Sequence, residues 1–268
     1  MAGWMLRRAA LALPLAAALL LAGPEARAQA VVQGAAQGGA QGAAPGAFTP
    51  EQRAEIVGIL REALRTDPSL LREAIEAMRN ADQAEQATAQ RNAIAANADA
   101  LFRNADDPVK GNPRGDVTLV EFFDARCGYC KQLQPAMAEL LKRDPNIRVV
   151  LKDIPILGPN SVLASRALLA AQKQGKYEAL HTALLALRGD ATEAAIQAEA
   201  QRVGIDWPRL KRDMEDPSIQ ARIASNLRLA QALEIQGTPA LVIGDTLVPG
   251  AVDLATLEKL VAEARRRG

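Results

Sequence analysis

Cys127-Gly128-Tyr129-Cys130 contains both cysteines of the chain and directly follows the apolar run Val117–Phe123. A nearly continuous apolar run suits a buried central strand, so the order predicts a strand that feeds a helix beginning at the cysteines. Residues three apart at a helix start share a face, which lets the two thiols meet within disulfide geometry. Cys127, at the N-terminal edge, faces free backbone N–H groups and the positive helix end, and both favour a thiolate. Cys130 lies one turn in, where a buried thiol can resolve a mixed disulfide. With no third cysteine to bridge, the pair reads as chemistry rather than scaffold.

Other uses of two thiols are open to test. A structural zinc site needs more ligands than the chain offers, since one histidine, His181, joins the two cysteines. His181 reads as a helix-surface or core residue. Two soft thiolates could hold Cu(I), which keeps a copper-binding or protein-holding module as an alternative from another class.

The first residues predict export. Arg7 and Arg8 precede the apolar stretch Ala9–Ala22, and Ala26-Arg27-Ala28 is a small-x-small cleavage site. The stretch, interrupted by Pro14, is short for a membrane span, so residues 1–28 are expected to leave as a signal peptide, delivering the protein to the periplasm. Three arginines against one glutamate in that segment take the formal charge from +1 to −1. Such a balance gives no electrostatic case for nucleic acid. Export also places the cysteines where thiols do not stay reduced by default.

Residues 29–47 are a Gln/Gly/Ala tract with too little apolar surface to offset ordering, and read as a disordered linker. Thr49-Pro50-Glu51-Gln52 is a helix start with a capping box. Ile56, Ile59, Leu60 and Leu64 then share one face, and Leu71, Ile75 and Met78 form a second stripe after Asp67-Pro68. Arg79–Ala100 is Ala-rich, a helical spacer with little to bury. The span 48–104 is therefore one helical module, and Asp106–Gly115, rich in Pro, Gly, Asn and Asp, is a connection. Beyond it the pattern predicts strand 117–123, helix 127–142 containing Pro135 and strand 147–151. Five helices follow across about 160–233, then a hairpin of 240–243 and 246–248 about Gly244-Asp245 and a closing helix from Asp253. The run Arg265-Arg266-Arg267 complements that last helix's C-terminus.

Thr238-Pro239 lies between a helix and the strand from Ala240, where proline is tolerated at a bend. Together, Asp107-Pro108-Val109, Gly111-Asn112-Pro113, Glu121-Phe122-Phe123-Asp124, the CGYC motif with Lys131, Pro155-Ile156-Leu157-Gly158 and Gly237-Thr238-Pro239-Ala240 resemble the DsbA-like branch of the thioredoxin fold. The resemblance spans about Asp106 to Arg267 and implies an α/β thioredoxin domain over 105–268 with a helical insertion. It further implies that Cys127 attacks, Cys130 resolves, and Thr238 and a cis Pro239 offer backbone groups to an extended substrate. Glu121 matches the family's buried acid that relays protons; a plain strand glutamate is the alternative. The cofactor is then the redox-active pair Cys127–Cys130 itself. The helical module resembles the extension of ScsC-like proteins, the suppressor-of-copper-sensitivity group. That resemblance implies a homotrimer that isomerises or reduces disulfides of protein substrates, served by a membrane reductase of ScsB/DsbD type. A DsbA-like dithiol oxidase is the nearest alternative. Arg126 departs from the residue types usual before the motif, which bears on substrate contact.

Overall fold

The computed structural model describes residues 48–267. The expected signal segment and linker, 1–28 and 29–47, lie outside the described residues. Contacts divide the chain into two units, 1–70 and 71–268.

In the first unit, helix α1 (Pro50–Thr66) forms where the sequence places it. Thr49 accepts from the Gln52 N–H at 3.2 Å, and the Gln52 side chain accepts from the Thr49 N–H at 2.9 Å, closing the capping box. Asp67 ends the helix by donating its N–H to the Ala63 carbonyl at 2.8 Å. Ile56, Ile59 and Leu60 are exposed, and no residue of α1 is buried among the described residues.

The second unit is built on a sheet of five strands, β1 (Val109–Gly111), β2 (Val117–Phe123), β3 (Ile147–Asp153), β4 (Ala240–Ile243) and β5 (Thr246–Pro249), in the order β1-β3-β2-β4-β5. β2 and β3 are parallel, with Glu121 opposite Leu151 and Phe123 opposite Asp153. The other pairings are antiparallel. Helix α3 (Gly128–Arg143) makes the crossover that parallel pairing requires. Between β3 and β4 stand α4 (Pro159–Gln172), α5 (Tyr177–Ala186), α6 (Glu193–Arg202), α7 (Trp207–Asp213) and α8 (Pro217–Ala232), and α9 (Leu254–Arg267) closes the chain. This is a mixed α/β thioredoxin-like fold with a helical insertion, preceded by an N-terminal helical region.

The period-two alternation of the strands sorts the core into two layers. Leu119, Phe123, Val149, Leu151, Leu241 and Ile243 face the layer that holds α3, α9 and much of the insertion. Val120, Phe122, Val150 and Val242 face a second cluster with Leu229 and Leu233. Ile94 and Leu101 belong to that second cluster. The end of helix α2 (Ser69–Ala96) and the π-helical turn Asp99–Arg103 are thus packed into the sheet's covering layer. The spacer expected over 79–100, with little to bury, thus carries one buried side chain, Ile94, hidden among alanines, and Leu101 just beyond it is buried too. A buried ion pair reinforces the seam: Lys152 Nζ pairs with Asp107 and donates to the Ala100 carbonyl at 2.7 Å.

β1 lies inside the stretch expected to be a connection. It is only three residues long, and Gly111 takes a positive φ of 78° where a Cβ would stand 2.7 Å from the Ile147 carbonyl oxygen. A strand so short among Pro, Gly and Asn leaves no period to read. β3 runs two residues beyond the expected 147–151, to Asp153. Its alternation is hidden there because Lys152 and Asp153 are both buried despite their charge.

Candidate active site

Cys127 is the N-cap of α3, with an extended backbone at φ −66° and ψ 123°. Its N–H donates to the Asp124 carbonyl at 3.0 Å, so the turn between β2 and α3 is closed by the backbone itself. Cys127 keeps 7% of its surface exposed and Cys130 none. The two thiols therefore differ as their positions on the helix predict: one at the mouth, one behind it. Both are free cysteines. Burial pushes the Cys130 thiol well above the usual thiol range, with the neighbouring Cys127 and Glu121 acting in the same direction. Gly128 has nothing near the position a Cβ would take, and Tyr129 is 64% exposed, so the two residues between the cysteines face outward.

Thr238 and Pro239 reach this site from the loop ahead of β4, 111 residues along the chain. The Cys127 thiol donates to the Thr238 carbonyl oxygen at 3.2 Å, and the Thr238–Pro239 peptide is cis. The structure thereby brings together the two motifs that the sequence offers separately.

Glu121 lies on β2 between Leu151 of β3 and Leu241 of β4, buried on the sheet face that carries Phe123, the face whose core cluster includes Cys130 of α3. Its Oε1 has no hydrogen-bond partner. Burial pushes the Glu121 carboxyl up to about 7, against a smaller opposing pull from Lys110. His181 is a core residue on α5. Its ring sits edge-on to Phe123 at 4.7 Å between centroids and stacks near Tyr177 at 5.9 Å, and neither ring nitrogen has a partner. Burial lowers it to about 3, so it is neutral at physiological pH. Tyr177 in turn donates to Asp153 at 2.7 Å, and burial raises that carboxyl to about 7. Among the described residues no group of three or more His, Cys, Asp and Glu is placed to hold a metal ion.

Two residues that the sequence singles out beside the cysteines have partners it does not show. Asp124, fully buried, accepts from the Arg126 N–H at 2.8 Å and from the N–H groups of Ile156 and Leu157 at 2.9 and 3.1 Å. Its place in the quoted Glu-Phe-Phe-Asp run was a signal, but nothing local shows what it holds. Arg126 reaches Asp190 on the far side of the insertion, a partner 64 residues away and beyond any local pattern.

Known proteins resemble this chain in sequence and fold. The family described as the DSBA-like thioredoxin domain matches residues 118–262. A solved thioredoxin-like oxidoreductase from Silicibacter pomeroyi DSS-3 is 48% identical, with a TM-score of 0.62 over 63% of this chain and 97% of that one. Proteus mirabilis ScsC, solved in a transitional conformation, is 33% identical, with a TM-score of 0.61 over 84% of this chain and 100% of that one. The Na(+)/H(+) antiporter NhaA 1 of Salinispora arenicola is 32% identical over 160 residues, and the match spans 59% of this chain and 24% of that protein's length. The chain thus spans about a quarter of that longer relative.

Proposed function

From the membership of this chain in the DSBA-like thioredoxin domain family, we propose that this thiol–disulfide oxidoreductase is an exported, periplasmic disulfide isomerase or reductase acting on misoxidised proteins. The reading rests above all on one observation, the Cys127 thiol at the mouth within 3.2 Å of the Thr238 carbonyl, with Cys130 sealed behind it.

The Cys127 thiolate attacks one sulfur of a substrate disulfide. A mixed disulfide forms, the substrate S–S bond breaks, and the other substrate sulfur leaves as a thiolate that takes up a proton. For reduction, Cys130 gives its proton to the Glu121 carboxylate and attacks the Cys127 sulfur. The second substrate thiolate leaves and collects that proton, and Cys127–Cys130 becomes a disulfide. Two electrons have passed to the substrate, so a dithiol reductant, a membrane reductase of ScsB/DsbD type, must restore the pair. For isomerisation, a substrate thiolate re-attacks the mixed disulfide and frees Cys127 with no net redox change. Thr238 and Pro239 line the substrate side, where the backbone of Thr238 can pair with an extended segment.

Residues 48–104 act as an oligomerisation module, and residues 105–268 as the catalytic domain, after loss of 1–28 and with 29–47 as linker. Two exposed apolar stripes, Ile56, Ile59 and Leu60 on α1 and Leu71, Ile75 and Met78 on α2, each support self-association. A homotrimer places several dithiols around one substrate and raises their effective concentration. Refolding of a scrambled multi-disulfide protein tests the reading, together with the mass of the mature chain in solution. Recovery of native disulfides by a trimer is expected; rapid oxidation of reduced substrate without reshuffling would make the protein a DsbA-like oxidase instead.

A further inference from the structure

Ile156 and Leu157 are 45% and 46% exposed, beside a site whose other apolar side chains are mostly buried. Their backbone is held from two sides. Asp124 accepts from both of their N–H groups. Arg126 Nη1 donates to the Leu157 carbonyl, while the same guanidinium's Nε donates to Asp190 Oδ1 at 2.5 Å. Asp190 is fixed in turn, accepting from Asn160 Nδ2 at 2.6 Å and from the Ala191 N–H at 2.9 Å. Gly158, at φ 104°, then turns the chain into α4, a conformation costly for any residue with a Cβ.

One side chain thereby joins three segments: the turn that carries Cys127, the 155–158 loop and the 187–192 stretch of the insertion. Arg126 meets the carboxylate and the carbonyl with two different nitrogens, Nε and Nη1, held in one rigid plane, whereas a lysine ammonium would have to reach both from a single atom. We infer that Arg126 and Asp190 form a strap that fixes Ile156 and Leu157 as an apolar ledge beside Cys127, favouring disulfides flanked by apolar residues in extended segments of a protein substrate. The occupant follows from continuity: the ledge hangs on Asp124 and Arg126, in the same turn as the attacking sulfur. Arg126 is a positioning residue in this account. Its charge lies near Cys127 as well, which gives a rival role, tuning the sulfur electrostatically.

The inference rests on the oxidoreductase reading, and one comparison separates the two. Reduction of a disulfide-bridged peptide with leucines flanking its cysteines is measured against reduction of glutathione disulfide, for the full chain and for Arg126→Ala, Arg126→Lys and Asp190→Asn. Glutathione disulfide is too small to use the ledge, so the ratio of the two kcat/KM values reports the ledge and cancels loss of active protein. The strap predicts that this ratio falls about fivefold in all three variants, through peptide KM, because the ledge residues must then be ordered on binding. A charge role predicts Arg126→Lys close to wild type, with Asp190→Asn and Arg126→Ala moving in opposite directions; that result, or an unchanged ratio, overturns the strap. A wild-type chain that reduces neither substrate overturns the oxidoreductase reading, and the strap with it.

Discussion

α1 carries Ile56, Ile59, Leu60 and Leu64 on one face, and α9 carries Leu257, Leu260, Val261 and Ala264 on one of its own. α9 buries Leu257, Val261 and Ala264 in the layer that also holds α3 and one sheet face. α1 buries none of its residues among those described. Both helices are amphipathic by the same 3.6-residue period, so the period specifies a face and leaves its partner open. What differs is the rest of the unit. The sheet and α3 offer α9 buried apolar side chains to pack against, and the core of that unit includes its inner face. α1 keeps an apolar stripe that a second copy of the chain can cover. In the proposed trimer this contrast in packing becomes one of function, with copies of the chain covering the face that α1 leaves exposed.

The sharpest break of this contrast is a pair of truncations. Removing residues 29–78 takes away the exposed stripes and leaves Ile94, Leu101 and the Lys152–Asp107 pair in place. That variant is expected to be a folded monomer that reduces disulfides and has lost isomerisation, read by refolding of a scrambled substrate. Removing 29–103 instead strips Ile94 and Leu101 from the second core cluster. Each such loss costs about 2–5 kcal/mol, against a total stability of roughly 5–15 kcal/mol for a domain. Its denaturation midpoint should collapse while that of the shorter deletion holds. Equal midpoints would show that the helical end is not part of the catalytic core.

A matched pair of substitutions makes the same point at single residues. Leu257→Ala, in a fully buried position on α9, should lower unfolding stability by about 2–5 kcal/mol. Ile59→Ala on α1 removes apolar surface that the catalytic unit does not use. Its catalytic unit should unfold within about 0.5 kcal/mol of wild type, while the oligomer dissociates at higher protein concentration in light scattering. A loss of several kcal/mol from the catalytic unit's unfolding transition in full-length Ile59→Ala would break the comparison.

Within the closed unit, Glu121 sets a pH dependence. Its folded carboxyl titrates near 7 because burial disfavours the charge, above its ordinary 4.5. The folded state therefore binds more protons than the unfolded state between these values, and Glu121's contribution to stability is full below about pH 4.5 and lost as pH rises through about 7. Glu121→Gln should accordingly be more stable than wild type at pH 8, by at most on the order of 3 kcal/mol, with the gain vanishing towards pH 4. Chemical denaturation at graded pH reads it. The same variant should slow the resolving attack by Cys130, because its raised thiol has lost the proposed proton acceptor. A pH-independent difference would place Glu121 outside any proton role.

Much of the site was legible because its chemistry sits in contiguous residues. The CGYC pair after an apolar strand gave the cysteines; Thr238-Pro239 reads locally as a turn, and the family resemblance alone implied that it faces them. The depth of Glu121 was not legible from its neighbours, since a strand residue's face is set by which partners cover it. Ile94 and Leu101 were hidden in an Ala-rich helix and a π-helical turn, where two side chains carry the packing of a whole segment. β1 was too short to show a period. The Arg126–Asp190 pair was unreadable for a different reason: its partners come together only after the five-helix insertion has folded.

The account's central claim, that the mouth cysteine attacks and the buried one resolves, is tested most directly by trapping. Cys130→Ser is mixed with a disulfide-bridged peptide, acid-quenched, and mapped by mass spectrometry without reduction. A peptide adduct on Cys127 should accumulate, and Cys127→Ser should form none at Cys130. An adduct on Cys130 in Cys127→Ser, formed at a comparable rate, would contradict the account by making the buried thiol the nucleophile.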